Sequence, residues 1–175
     1  MANDTLLVLT VIGDDRPGLV ELLSTTISTH QGNWLESSMS HLAGKFAGIL
    51  NVSVPEAHAQ ALRNALAALA QLKVTVESST VTQEAPRGRR LKLSLVGHDR
   101  IGIVREVSQV LARHAVNVEE LNTYTASAPM SAETLFHAQA DLFASVDLDA
   151  HALKQELEQL SNDLMVDISL NETLR

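Results

Sequence analysis

Two short runs carry the residue types that could grip a small charged molecule. The first is Gly13-Asp14-Asp15-Arg16-Pro17-Gly18-Leu19, and the second is Gly97-His98-Asp99-Arg100-Ile101-Gly102-Ile103. Each lies between an apolar, β-branched run and a stretch with helical spacing, so each marks the start of a helix. A helix start offers backbone N–H groups without intrahelical partners and a partial positive charge. A small carboxylate docks in such a place. Glycine at 18 and 102 lets a ligand come close to the backbone. The carboxylate of Asp15 or Asp99 could hold an ammonium group. Together these features match the two ends of a free amino acid. Asn33 and Asn117 begin the next strand in each half, and could add an amide to the same ligand. The plainer reading is that Asp, Pro, Gly and Asn only cap and turn the chain here. Residue type and spacing leave both readings open.

Other chemistries find little support. The sequence has no His-Glu-x-x-His, no Gly-x-Ser-x-Gly and no Walker loop, and its seven histidines are scattered. No histidine pair has metal-ligand spacing with a carboxylate in third position. His30 and His114 sit near helix C-termini, where an imidazolium complements the helix dipole. Asp147-x-Asp149 reads as a loop and helix N-cap. Cysteine is absent, which excludes disulfides, thiolate catalysis and cysteine-based zinc sites. The expectation is therefore no catalytic residue, no metal and no cofactor.

The balance of charge points the same way. Net charge is −8, a field that repels nucleic-acid phosphate. The one basic cluster, Arg87, Arg89, Arg90 and Lys92, falls in a Pro/Gly stretch and reads as a solvated linker. No run approaches the roughly 20 apolar residues of a membrane span. Met1-Ala2-Asn3-Asp4 lacks the basic start of a signal peptide, so a cytoplasmic location is expected.

The elements that must position the two runs come in duplicate. Residues 7–36 lie over 91–120 without a gap, with eleven identities in thirty. Chance would give about two, so the repeat is real. In the first copy, residues 5–12 predict a buried strand. Leu19, Leu22, Leu23 and Ile27 predict a helix reaching about His30, with Pro17 in its first turn and Asp15 as N-cap. Gly32 and Asn33 should end the helix and turn the chain. Residues 33–42 and 45–54 form a hairpin about Ala43-Gly44. A second helix starts near Pro55, with Leu62, Ala65, Leu66, Leu69 and Leu72 on one face. Residues 74–81 supply the last strand. Trp34, the only tryptophan, reads as packing.

The second copy repeats this order. Its strands are expected at 91–96, 117–126, 134–144 and 164–170. Ile103, Val107, Val110 and Leu111 mark one helix; Leu153, Leu157 and Leu160 mark the other. An extra hairpin loop lies near 127–133. The fold class is α+β: two ferredoxin-like βαββαβ domains in tandem, with antiparallel sheets and helices on one face. The expected domains are residues 1–82 and 91–175, joined by a linker at 83–90. A free sheet edge in either could pair with a second chain, so a homodimer is plausible.

A strand followed by Gly-Asp-Asp-Arg-Pro-Gly-Leu-Val, a helix, and Asn33 at the next strand resembles the ACT domain. A tandem pair of this length is similar to the glycine cleavage system transcriptional repressor family. That resemblance implies an amino-acid ligand, glycine, held by the turn between the first strand and helix at an interface between modules. It implies Asp15, Arg16, Gly18, Leu19 and Asn33 as one ligand-binding set. Asp99, Arg100, Gly102, Ile103 and Asn117 are the other. It also implies repression of glycine-cleavage genes through a LysR-type activator protein, with no direct DNA contact. The second copy departs from the motif at Ile101 and His98, which puts its site in doubt. The same module resembles the N-terminal part of formyltetrahydrofolate hydrolases. The alternative is thus a regulatory module associated with an enzyme of amino-acid or one-carbon metabolism. No residues remain here for the separate catalytic domain of those enzymes.

Overall fold

The computed structural model describes residues 4–79, 87–128 and 133–172. The described chain forms two compact units, residues 1–83 and 84–175. Module one runs β1 (Asp4–Asp14), α1 (Leu19–Thr29), β2 (Asn33–Leu42), β3 (Lys45–Pro55), α2 (Glu56–Ala67) and β4 (Lys73–Ser78). Module two runs β5 (Arg89–His98), α3 (Ile103–Arg113), β6 (Asn117–Ser127), β7 (Thr134–Ala144), α4 (Ala150–Leu164) and β8 (Val166–Glu172). Both are βαββαβ units, with antiparallel sheets ordered β2-β3-β1-β4 and β6-β7-β5-β8.

Strand alternation sorts the two faces of each sheet. In β1, Leu7, Leu9 and Val11 point at the helices and are buried. They meet Leu19, Leu23 and Ile27 of α1, and Ala59, Leu62 and Leu66 of α2. In β5, Leu91, Leu93 and Leu95 do the same against Ile103, Val107, Val110 and Leu111 of α3 and Leu153 and Leu157 of α4. Each fully buried Leu, Ile or Val contributes about 1.5–3 kcal/mol over leaving it in water. Among the described residues no polar or charged residue is buried in either core. Trp34 and Met39 pack partly buried against the first core.

Several sequence expectations shift. Arg89 and Arg90 belong to β5 rather than to a solvated linker. Arg89 bonds Glu172 and the Leu148 carbonyl, Arg90 pairs with Glu119, and Lys92 pairs with Asp141. Alternation along a strand, which spaces the cations, was masked by the Pro and Gly upstream. Helix α2 ends at Ala67, so Leu69 and Leu72 reach the core from the turn that follows. The predicted strand ends at 80–81, most of the linker, and residues 129–132 of the extra loop lie outside the described residues.

The repeat is exact enough to reproduce irregularities. Each hairpin carries a bulge at the same place, between Trp34 and Glu36 in one and between Val118 and Glu120 in the other. The identity Gly13/Gly97 has a packing cause. A Cβ at Gly13 would stand 2.5 Å from the Gln71 carbonyl oxygen, and one at Gly97 would stand 2.7 Å from Val166 Cβ. The chain entering the last strand presses on both glycines.

The helix C-termini differ from expectation in detail. Gln31, not Gly32 or Asn33, takes the left-handed conformation, at φ 62, and the Gly32 amide bonds back to the Ile27 carbonyl at 2.9 Å. Ala115 and Val116 repeat this, with Val116 N–H donating to Leu111. His30 Nδ1 lies 2.8 Å from the Thr26 carbonyl, where a protonated nitrogen satisfies an orphan acceptor of the last turn. Its repeat partner His114 turns elsewhere, with Nε2 at 2.7 Å from Glu156 on α4.

Glu156 also receives Arg113. Hydrogen bonds from Arg113 and then His114 hold its carboxyl below the ordinary value of 4.5, so its folded pKa is depressed. A depressed carboxylate stabilises the fold fully above its unfolded pKa, and loses that contribution as pH falls through the folded value. Module two should therefore lose stability below about pH 4.5 in a way that Glu156→Gln does not. Urea midpoints of the two proteins across pH 3–6 check this, and parallel curves would refute it.

Candidate functional site

Both turns following β1 and β5 are pinned at their start by the neighbouring hairpin. The Asp15 amide donates to the Gly44 carbonyl, and the Asp99 amide to the Thr134 carbonyl, each at 3.0 Å. Beyond that point the backbone rises to a glycine with positive φ, 91 at Gly18 and 95 at Gly102. These glycines are the N-caps. No side chain caps either helix. The expectation that Asp15 caps α1, with Pro17 in the first turn, is thus corrected. The helix begins at Leu19, after the left-handed residue, so Pro17 lies in the turn before it. The motif's glycine is needed for its φ, which an L side chain adopts only with strain.

The structure sorts the predicted residues. Asp15, Arg16 and Gly18 are exposed together in one turn. Leu19 and Ile103 are 2% and 3% exposed, so their side chains belong to the cores and only their backbone faces the turn. Asp99 is exposed, while Arg100 and Gly102 are partly covered. Asn33 and Asn117 are exposed on the first residues of β2 and β6.

Register separates these asparagines from the turns of their own modules. Asn33 pairs with Ser53, which pairs with Leu6 near the start of β1. Asn117 pairs with Phe143, which pairs with Arg90 at the start of β5. The turns lie at the other strand ends, beyond Gly13 and Gly97. Seven residues of strand at about 3.3 Å each make roughly 23 Å. Within one module the turn and the asparagine cannot hold the same small ligand.

The two turns also differ in what covers them. At Gly18 nothing stands within 4 Å of where a Cβ would be. At Gly102 that space has the Arg105 guanidinium at 3.4 Å and the Glu106 carboxylate at 3.6 Å. Glu106 Oε2 accepts from Arg100 Nη2 at 2.6 Å, and Arg100 Nε is buried without a partner. Module one has Leu22 where module two has Glu106, and among the described residues Arg16 makes no ion pair. Asp14 is held by Lys45, whose hydrogen bond and charge push its carboxyl below the ordinary carboxylate value. Module one therefore exposes in one turn the Arg16 guanidinium, whose charge also acts on Asp14, the Asp15 carboxylate and an open helix start. That set offers complementary partners for both ends of a zwitterion. The contrast was not foreseen from spacing: Arg100 and Glu106 are six apart, across a turn and a helix start.

The ACT domain family model matches the chain twice, over residues 5–79 and 89–171. The chain belongs to the ACT domain family. Its two ACT modules are similar, over 98% of the chain and 92% of the relative, to the glycine cleavage system transcriptional repressor of Escherichia coli K12, at 21% identity. The Shigella flexneri repressor matches to the same extent. Among solved structures, an unknown protein from Galdieria sulphuraria superposes with a TM-score of 0.84 at 29% identity, covering 98% of this chain and 100% of that one. A protein described as a candidate glycine cleavage system transcriptional repressor superposes at 0.71 with 19% identity, covering 98% and 99%, a likeness of fold. Among the described residues no helix of the tandem ACT chain is long and apolar enough to cross a membrane. The same residues hold no cluster of three or more His, Asp or Glu that could bind a metal ion.

Proposed function

We propose that this tandem ACT protein is a cytoplasmic, non-enzymatic regulator that responds to glycine. In this reading it represses glycine-cleavage genes by binding a LysR-type activator protein, not DNA. The observation that carries the reading is the end-to-end similarity to the glycine cleavage system transcriptional repressor, both modules included. The open turn at Gly18, with Asp15 and Arg16 beside it, supports an amino acid as ligand. The net charge of −8 supports a protein partner over a phosphate backbone.

The mechanism is differential affinity. A ligand changes the activity of a regulator only by binding one arrangement of its modules more tightly than another. Because Asn33 is remote from the turn of its own module, its amide would serve a ligand only on a turn presented by another module. Isothermal titration calorimetry against the proteinogenic amino acids tests the reading. Glycine should give saturable heat. Silence for every amino acid would remove ligand control, and a gel shift by the purified protein alone would remove the protein-mediated mechanism.

A further inference from the structure

We infer that module two blocks its own ligand turn with an internal carboxylate, Glu106, so that each chain has one competent amino-acid site, in module one. The inference rests on the amino-acid reading above and deepens it. Glu106 lies on the first turn of α3, and its side chain folds back over the N-cap. One oxygen accepts from Arg100 Nη2 at 2.6 Å; the other lies 3.6 Å from the Cβ position at Gly102. That is where an incoming carboxylate would meet both the guanidinium and the helix start. An anion already held there neutralises the arginine and lies by the positive end of the helix, although it bonds none of the helix amides. The Arg105 guanidinium stands 3.4 Å from the same Cβ position, so that space is already occupied.

The duplicated module supplies the control. Its counterpart of Glu106 is Leu22, its counterpart of Arg105 is Glu21, and its glycine faces open space. Arg100 and Glu106 are 36% and 27% exposed, so the pair is partly screened from water and competes effectively with a weak solute. A ligand would have to displace a carboxylate that is tethered, at high effective concentration. Module two then serves as scaffold, and its turn is held in one conformation whether or not amino acid is present.

The test is the stoichiometry of glycine binding to the full chain and to Glu106→Leu, which restores the residue of module one, with Glu106→Gln as a variant of the same size. One glycine per wild-type chain and two per Glu106→Leu chain is the expected result. Two per wild-type chain, or one per chain in both, overturns the block. Silence in both proteins sinks the amino-acid reading, and the block is then decided with acetate as probe. By NMR, acetate should shift the Arg100 Nε–H resonance in Glu106→Leu and leave it unmoved in the wild type. No shift in either overturns the block. Circular dichroism establishes that the variants are folded.

Discussion

Replacing Leu23 by alanine should cost the protein about 2–5 kcal/mol, the range for emptying a fully buried leucine site. Leu23 is 0% exposed and lies at the centre of the face that α1 turns to β1. Its methyl groups fill space between the sheet and the helix that carries the Gly18 turn. Truncation loses both the transfer free energy and the contacts around the void. Val20, three residues earlier on the same helix, is 49% exposed. Val20→Ala should therefore stay within about 0.5 kcal/mol. Urea unfolding of the two variants beside the wild type makes the comparison; alanine is the better helix former at both positions, so propensity does not produce the expected loss. A Leu23→Ala loss no larger than that of Val20→Ala would refute the account of which face of α1 is buried.

The leucine pattern of α1 was legible because helical period alone assigns Leu19, Leu23 and Ile27 to one side. The same holds for β1, where alternation assigns Leu7, Leu9 and Val11. The duplication then carried the topology from one module to the other, down to the bulges in β2 and β6. Local patterns of this sort are written in period and spacing, and the fold follows from them.

The site was legible only in part, and the reason is geometric. The sequence marks the turn, since Gly18 and Gly102 are demanded by their positive φ. It does not mark what covers the turn. Asp15 has the composition of an N-cap, yet the left-handed glycine takes that position. Asn33 follows the helix closely in sequence, but α1 runs back along β1, so the two ends of one helix separate them. Glu106 looks like an ordinary exposed acid of a first helical turn, because no periodic rule pairs it with Arg100. Arg90 and Lys92 look like linker charges until β5 pairs them with Glu119 and Asp141. Each miss involves a side chain whose partner is set by register or by a turn, which a linear pattern does not encode.

Arg16→Ala should weaken glycine binding by roughly 10- to 150-fold, the effect of losing a charged hydrogen bond worth about 1.5–3 kcal/mol. Arg16 is exposed and makes no ion pair among the described residues, so its guanidinium is available to the ligand carboxylate. Removing it leaves no buried partner behind, and the fold should be unaffected. Arg16→Lys keeps the charge but loses the planar two-point geometry, and should fall between wild type and alanine. Arg100→Ala makes the opposite comparison. That side chain is already held by Glu106, so glycine affinity should change by less than about twofold, well under the 1.4 kcal/mol that tenfold represents. Titration calorimetry of the three variants reads all of this directly. Equal losses at Arg16 and Arg100 would mean that both turns bind ligand, and the assignment of binding to module one would fall. Loss at Arg100 alone would reverse the roles of the modules. Both arginines occupy the same position in one repeated motif, so their difference isolates what surrounds them.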